Sequence, residues 1–297
     1  MRTEEMFQLI MDVAKQEEHI RAVGMVGSRT NVKAPKDSFQ DFDIVYIVEP
    51  CAEFFETATW IAKFGQPLIM QRPKEMTLFP TEPKTRETFL MLFEDGQRID
   101  LTLCPLAEKD NWHEGDSLAI ILLDKDENLP PLPVASDKNY TVTVPDQQQF
   151  NDCCNEFWWV STYVVKGLCR NELFYAVTHL YEYCQQELLR LLSWQAAWQE
   201  PEPISVGKQF KYLKNYVTPD TMDQLASLLD FSSKEACWNS LIKTQAFFDV
   251  VAQDFAKMAQ FTYHLQEAKK VTEYTNSLRL KDLQGKQAEN NIKIVYN

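Results

Sequence analysis

Two aspartates two residues apart, with a Gly-Ser pair upstream of them, are the first residues in this sequence whose spacing could do chemistry. Asp41 and Asp43 open an apolar run that extends to Val48 and predicts a strand. Alternate residues of a strand point to the same face, so the two carboxylates lie side by side. Carboxylates that close repel each other unless a cation lies between them, and their hard oxygen ligands suit Mg²⁺.

A third carboxylate, Asp100, lies in the middle of another predicted strand. Ile99, Leu101 and Leu103 alternate with it and form the apolar face, which leaves Asp100 on the opposite face. An acid at the centre of a half-buried strand is costly unless it has a role. If this strand neighbours the strand of Asp41 and Asp43, the three aspartates converge on a two-metal site. Such a site clamps the attacking and leaving oxygens in a phosphoryl or nucleotidyl displacement.

Each of these features also has a simpler interpretation. An isolated Asp-x-Asp at a strand start is most often a solvated strand end or turn cap, and a lone Gly-Ser such as Gly27-Ser28 is usually only a turn. Asp100 alone could accept a salt bridge from Arg98 of a neighbouring strand. The combination in this order, with the acids in strand context, favours the functional interpretation.

The elements that must position these residues fall into two halves. Strands alternate with helices in the first half: strands at 22–26, 41–48, 89–93, 99–103 and 118–123, and helices at 4–16 and 52–64. Beyond residue 146 only long helical periodicities remain, at about 147–166, 170–198, 219–229 and 234–265. We therefore predict an α/β (α+β) domain with a mixed sheet over residues 1–135 and an all-α helical bundle over 146–275, followed by a tail at 276–297. A proline-rich segment, Pro130–Pro145, separates the two.

Composition excludes several classes of protein. The chain has 297 residues, 45% of them hydrophobic, which excludes disorder, and no run approaches the length of a bilayer-spanning helix. Thirty basic against 43 acidic residues give a net charge of −13, which argues against a broad nucleic-acid footprint and is compatible with a cationic small substrate.

The acidic N-terminus is unlike a signal peptide, and seven cysteines without a C-x-x-C pair indicate reduced thiols. We expect a cytoplasmic protein without nucleic-acid or membrane partners, a monomer or weak dimer.

The motifs resemble a known family. Gly27-Ser28, Asp41-x-Asp43 and Asp100 resemble the signature of the nucleotidyltransferase superfamily. A wider set of segments is similar to the streptomycin-modifying aminoglycoside 6-adenylyltransferases, and it extends to about residue 275. These segments are Gly27–Asn31, Phe39–Ile44, Ile99–Leu103, Leu123–Asp126, Asp152–Trp158, Tyr163–Arg170 and Gly207-Lys208.

The resemblance implies an enzyme that transfers AMP from ATP to an aminoglycoside hydroxyl and releases pyrophosphate, with an N-terminal nucleotidyltransferase domain. It implies that the backbone amides of Gly27 and Ser28 and the Ser28 hydroxyl hold the β- and γ-phosphates. Asp41 and Asp43 then hold two Mg²⁺ ions, while Asp100 ligates one ion and acts as base toward the acceptor. Lys208 resembles a phosphate-contacting lysine of this family, and Arg29, next to the turn, is a second candidate for such a contact.

The acceptor site is predicted on the helix that begins near residue 147. Asp152, Glu156, Trp159 and Tyr163 recur at helical spacing and place two acids and two aromatics on one face. Such a face suits a guanidinium-bearing sugar through charge-assisted hydrogen bonds and cation–π contacts. The competing interpretation is an ordinary bundle helix whose aromatics belong to the core.

Departures from the family pattern bear on the acceptor. Relatives tend to have an acid where this chain has Thr178, and a proline with an acidic run where His264-Leu265 and Lys269-Lys270 follow Tyr263. Fewer acids imply weaker streptomycin binding or another cationic or polyol acceptor. Two alternatives therefore remain open: a nucleotidyltransferase that acts on another metabolite or a protein, and a non-catalytic protein that binds nucleotide or aminoglycoside.

Overall fold

The computed structural model describes residues 3–49, 59–79 and 85–295, with side chains to residue 284. The chain divides into two compact units, Met1–Asn139 and Tyr140–Asn297. The division falls within the proline-rich segment 130–145. Among the described residues, no helix is both long enough and apolar enough to cross a membrane.

The first unit is a six-stranded mixed sheet with one long helix. Its elements are α1 (Thr3–Gln16), β1 (Ile20–Val26), β2 (Phe42–Val48), β3 (Pro67–Gln71), β4 (Glu87–Phe93), β5 (Arg98–Pro105) and β6 (Ala119–Asp124). The strand order is β3-β4-β5-β2-β1-β6. Only β2 and β5 pair in parallel, and the other neighbours are antiparallel. The predicted mixed sheet is confirmed.

Two sequence predictions need correction in this unit. The edge strand β3 was not predicted, because its apolar side chains do not alternate: Leu68 and Ile69 are both more than 60% exposed. The helix predicted over 52–64 falls partly on residues 50–58, which lie outside the described residues. Its remainder, Thr59–Phe64, is a short 3₁₀ helix.

The core of this unit follows from strand alternation and fixes the strands that carry the aspartates. In β5, Ile99, Leu101 and Leu103 are fully buried in a cluster that includes residues of α1. The hydroxyl of Tyr46 on β2 donates a hydrogen bond to the carbonyl of Ile10 in α1, 2.6 Å away. This hydrogen bond and the close packing around it fix the position of β2 along its own axis relative to α1.

A second cluster includes Trp112, whose ring crosses β1 at Gly24. A Cβ on Gly24 would come closer to the Trp112 ring than the 3.0 Å that real Cβ atoms keep. Glycine at this position therefore permits a close approach of an aromatic ring to the backbone of the strand.

The second unit is helical, as predicted. It contains α2 (Gln147–Cys169), α3 (Leu173–His179), α4 (Gln185–Gln199), α5 (Pro219–Ala226), α6 (Lys234–Ala259) and α7 (Leu265–Val295). Asp146 begins α2 with a capping box: its side chain accepts from the Gln149 amide, and the Gln149 side chain accepts from the Asp146 amide. The rings of Phe157 on α2 and Phe248 on α6 stack 3.6 Å apart at the centre of the core.

Several helix boundaries differ from the predicted ones, and two of the differences have a clear backbone cause. The helix predicted over 170–198 begins at Leu173 and contains a π-helical turn, Leu180–Cys184, between α3 and α4. α6 ends at Ala259, not near 265, because Gln260 adopts a left-handed conformation with φ 58°. The end of the chain, 269–297, was predicted as a helix that frays into a tail, and α7 covers Leu265–Val295.

The described cysteines are all free thiols. Cys104, Cys153, Cys154, Cys184 and Cys237 are buried, and Cys169 is exposed. Burial raises the pKa of the five buried thiols above that of an ordinary cysteine. Cys51 lies outside the described residues.

Candidate active site

The parallel pairing of β2 with β5 brings two of the predicted aspartates together. In the register of these strands Asp43 lies opposite Asp100, and Phe42 lies opposite Ile99. Asp41 directly precedes β2 and approaches the same cluster, because one guanidinium contacts both Asp41 and Asp100. The sequence predicted that the three aspartates converge only if the strand of Asp100 neighbours the strand of Asp43. The structure shows that these two strands, β5 and β2, are neighbours.

The Gly27-Ser28 turn lies against Asp43. Gly27 follows β1, whose last residue Val26 pairs with Asp43, and it has φ 77° and ψ −153°. A Cβ at Gly27 would come within 3.0 Å of the Asp43 carboxylate oxygen Oδ2. Only glycine allows this backbone conformation together with so close an approach.

The two residues of the turn differ in what they can offer a phosphate. The Gly27 amide donates to the carbonyl of Leu118 at 3.0 Å, so it is already engaged in the pairing of β1 with β6. Ser28 is the first residue of a 3₁₀ turn that runs to Thr30, and the first amides of a helix have no intrahelical acceptor. The expectation for Ser28 therefore has geometric support, whereas Gly27 contributes its conformation.

Arg29 holds the backbone in front of β2. Its Nε donates to the carbonyl of Asp41 at 2.8 Å and its Nη2 to the carbonyl of Gln40 at 2.6 Å. The guanidinium carbon lies 3.8 Å from the ring centroid of Phe42. Burial lowers the pKa of Arg29. Two of its five N–H groups thus donate to the protein backbone, and the phosphate contact of Arg29 remains a prediction.

Arg98 lies on the carboxylates themselves. Its Nε and Nη2 donate to the two oxygens of Asp100, each at 2.8 Å, and its Nε lies 3.6 Å from Oδ2 of Asp41. A salt bridge between Arg98 and Asp100 was one interpretation of the sequence, but Arg98 comes from the same strand. Within residues 3–49, 59–79 and 85–295, no group of three His, Cys, Asp or Glu is arranged to hold a metal ion.

The electrostatics of the cluster nevertheless favour an additional cation. Burial, and then the charges of Asp100 and Asp41, raise the pKa of Asp43 to about 6, against which Arg98 and Arg29 act only in part. When ionised, the three carboxylates against the guanidinium groups of Arg98 and Arg29 leave one negative charge uncompensated. Their oxygens are the ligands that Mg²⁺ prefers, so the donor set fits such an ion once Arg98 moves aside.

Lys208, the remaining predicted nucleotide contact, lies in the second unit. It follows Gly207, which has φ 71°, and begins a short 3₁₀ turn. Its side chain is exposed, and its ammonium forms no hydrogen bond or ion pair with the described residues. A phosphate contact therefore remains a prediction for this residue.

The predicted acceptor residues divide between two cavities of the second unit. Asp152 and Glu156 are exposed and line a cavity of about 480 Å³ that Glu187 also lines. Trp159 and Tyr163 line another cavity of about 350 Å³, and the Trp159 indole Nε1 donates to the Tyr163 hydroxyl at 2.8 Å. Trp159 is 59% exposed, so it does not belong to the core.

The charges of the two cavities differ. The larger one has three carboxylates, of Asp152, Glu156 and Glu187, against a single guanidinium, of Arg190, which is paired with Glu187 at 2.8 Å. The smaller one is lined by Lys166 and Arg170 and by no carboxylate. A cationic acceptor is therefore complementary to the larger cavity.

Sequence analysis named Arg98 as a partner of Asp100 only from a neighbouring strand and missed its contact with Asp41. It also missed Glu187 and Arg190. Arg98 lies two residues before Asp100, so the same alternation that placed Asp100 on its face would have placed Arg98 there too. Glu187 follows the π-helical turn, which shifts the helical phase. No periodicity in the sequence reports that shift, so Glu187 could not be assigned to a face.

Comparison with known proteins agrees with the motifs. Residues 1–278 match the family model described as streptomycin adenylyltransferase. An aminoglycoside 6-adenylyltransferase of Campylobacter jejuni is 39% identical over 91% of this chain and 93% of its own length. The aminoglycoside 6-adenylyltransferase of Bacillus subtilis (strain 168) is 38% identical over 94% of this chain and 98% of its own length. That of Staphylococcus aureus is 32% identical over 89% of this chain and 94% of its own length. The chain belongs to the streptomycin adenylyltransferase family.

Proposed function

We propose that this protein transfers AMP from ATP to a hydroxyl of a cationic aminoglycoside and releases pyrophosphate, in a reaction that depends on two Mg²⁺ ions. Streptomycin, modified at its 6-hydroxyl, is the first candidate acceptor, because the relatives are named aminoglycoside 6-adenylyltransferases. The observation that carries the proposal is the parallel register of β2 and β5, which pairs Asp43 with Asp100 beside Gly27.

In this reaction Asp100 accepts the proton of the acceptor hydroxyl, whose oxygen attacks the α-phosphorus of ATP. A bond forms between that oxygen and phosphorus, and the bond from the α-phosphorus to the bridging oxygen breaks, so that pyrophosphate leaves. Asp41, Asp43 and Asp100 would hold the Mg²⁺ ions, and such ions would neutralise the charge on the phosphates. The Ser28 amide and hydroxyl bind phosphate oxygens, and Arg29 fixes the backbone that carries Asp41.

The acceptor binds at the cavity that Asp152, Glu156 and Glu187 line. Three carboxylates against one guanidinium attract a cation, and charge-assisted hydrogen bonds to guanidinium groups are short and directional. Trp159 and Tyr163 are less suited to the cation itself, since Lys166 and Arg170 line the same cavity as they do. The acids of α2 would therefore bind the cationic groups of the acceptor, and the aromatic side chains of α2 would contact a different part of it.

The test is to incubate the protein with ATP, Mg²⁺ and streptomycin, to measure pyrophosphate, and to determine the mass of the acceptor. We expect pyrophosphate release that requires streptomycin and a mass gain of one AMP. Asp43→Asn and Asp100→Asn should lose this activity by at least about a hundredfold, as expected for loss of a metal ligand or base. Asp110→Asn, which removes an exposed carboxylate of the same unit, is the matched control.

Other outcomes would redirect the assignment. Release of pyrophosphate only with a different acceptor would retain the reaction and replace streptomycin. Tight binding of ATP or streptomycin with no product, unchanged in Asp43→Asn, would indicate a binding protein and contradict the proposal.

A further inference from the structure

The guanidinium of Arg98 differs from the other arginine side chains of the first unit in what it contacts. Within the described chain it contacts carboxylates alone, those of Asp100 and Asp41, and its side chain is 44% exposed. Arg86, in contrast, is 9% exposed and donates to backbone carbonyls as well as to Glu108 and Glu114. Arg86 is thus built into the fold, whereas solvent reaches Arg98 and its partners belong to the candidate active site.

The geometry of Arg98 explains how three carboxylates can lie together in the absence of metal. Its two N–H groups engage both oxygens of Asp100, and the same Nε approaches Oδ2 of Asp41. Like charges this close disfavour ionisation of one another. One guanidinium placed between two of the acids reduces that repulsion.

A divalent cation at this cluster needs the oxygens that Arg98 contacts. Both oxygens of Asp100 are engaged by the guanidinium. Two cations that share oxygens also repel each other at contact distance. Arg98 and a divalent ion therefore compete for the same ligands, and the long, partly exposed arginine side chain is free to turn toward solvent.

We propose that Arg98 is an internal counterion of the metal-free site, and that divalent-cation binding requires it to release Asp41 and Asp100. The inference rests on the proposed function in one respect, the assignment of the three aspartates as metal ligands. Arg98 is therefore a positioning residue that holds the carboxylates together until the ion binds. Because its contacts with Asp41 and Asp100 must break first, the free-energy cost of breaking them lowers the apparent affinity for the ion.

The experiment is a Mn²⁺ titration of the full chain without nucleotide, followed by the electron paramagnetic resonance signal of free Mn²⁺. Arg98→Gln should bind Mn²⁺ about fivefold more tightly than the unmodified protein, the effect of one bidentate, partly exposed ion pair. Arg21→Gln is the matched control, because it removes the same charge from a pair with Asp126 in the same unit. Arg21→Gln should leave the Kd for Mn²⁺ unchanged.

Thermal unfolding gives a second measurement on the same variants. In EDTA, Arg98→Gln should unfold at a lower temperature than Arg21→Gln, because its carboxylates have lost their counterion. Saturating Mn²⁺ should then raise its Tm by more than it raises that of the unmodified protein.

A Kd for Mn²⁺ that is unchanged or weaker in Arg98→Gln, or no binding at all by this variant, would overturn the inference. Asp43→Asn separates that failure from a failure of the metal site. If Asp43→Asn loses Mn²⁺ binding while Arg98→Gln shows no gain, only the role of Arg98 is wrong. If Asp43→Asn binds Mn²⁺ as the unmodified protein does, the metal site lies elsewhere and both assignments fail.

Discussion

Gly27→Ala tests whether the turn after β1 sets the position of the Asp43 carboxylate. The φ of 77° and ψ of −153° lie in a region open essentially to glycine, so alanine costs about 1–3 kcal/mol of backbone strain. The new Cβ would also lie within 3.0 Å of Oδ2 of Asp43 and must displace it. A misplacement on the order of 1 Å at a reacting site lowers the rate about a hundredfold. We therefore expect kcat/KM for AMP transfer to fall about a hundredfold.

Gly96→Ala separates strain from displacement. Gly96 also has a positive φ, 81°, in the turn between β4 and β5, but a Cβ there would meet no atom within 4 Å. We expect Gly96→Ala to lose about 1–2 kcal/mol in denaturant unfolding and to keep its activity. Gly27→Ala should lose at least as much stability, and should lose activity as well.

The double variant Gly27→Ala/Asp43→Asn identifies the cause of the loss. If Gly27→Ala acts through Asp43, the double variant should be no less active than Asp43→Asn alone, since the carboxylate is already absent. Losses that multiply in the double variant, or full activity in Gly27→Ala, would refute the link between the turn and the carboxylate.

Four further changes test other contacts. Burial raises the pKa of Asp43 from 3.8 to about 6, so the folded state binds that proton more tightly than the unfolded state. In metal-free protein the free energy of unfolding should therefore decrease as the pH rises from 4 to 6. Urea titrations in EDTA should show this decrease in the unmodified protein and not in Asp43→Asn. Arg29→Lys keeps the charge but cannot donate to both carbonyls, so its kcat/KM should fall as far as that of Arg29→Met, about tenfold; full activity in Arg29→Lys would indicate a phosphate contact instead. Gly24→Ala should lower stability by about 1–3 kcal/mol in thermal unfolding, because its Cβ overlaps the Trp112 ring. Glu156→Gln should raise KM for streptomycin about fivefold and leave KM for ATP unchanged, and equal rises in both would contradict an acceptor-specific role.

The parts of the fold that sequence predicts are those with a clean period. From Arg98 to Leu103, β5 alternates between buried leucine or isoleucine and polar residues, so both its strand character and the face of Asp100 could be derived. β3 could not, because an edge strand with exposed apolar residues on both faces has no period of two. The π-helical turn Leu180–Cys184 could not be predicted from the sequence for a related reason. One added residue in a turn changes the helical phase but leaves the composition of the segment the same.

The candidate site was predictable in its residue types but not in its contacts. Spacing placed Asp41 and Asp43 on one face, yet only the parallel register shows that Asp100 lies opposite Asp43. The Gly27 amide could not be known to bond Leu118, because that bond depends on where β6 pairs. Hydrogen bonds between segments distant in sequence are properties of the folded topology, and local patterns do not encode them.

The parallel pairing of β2 and β5 also determines when the site comes into existence during folding. β3 and β4 lie between these strands in the chain, so Asp43 and Asp100 meet only after a long loop has closed, a slow class of folding event. A nascent chain that ends before β5 therefore lacks Asp100, and the repulsion between Asp100 and Asp43 is absent from it. This repulsion arises only when β5 pairs with β2, so it destabilises the folded unit and not the unfolded chain. A divalent ion that bound only the completed cluster would stabilise the folded unit, so we expect added ion to lengthen the lifetime of this unit as well.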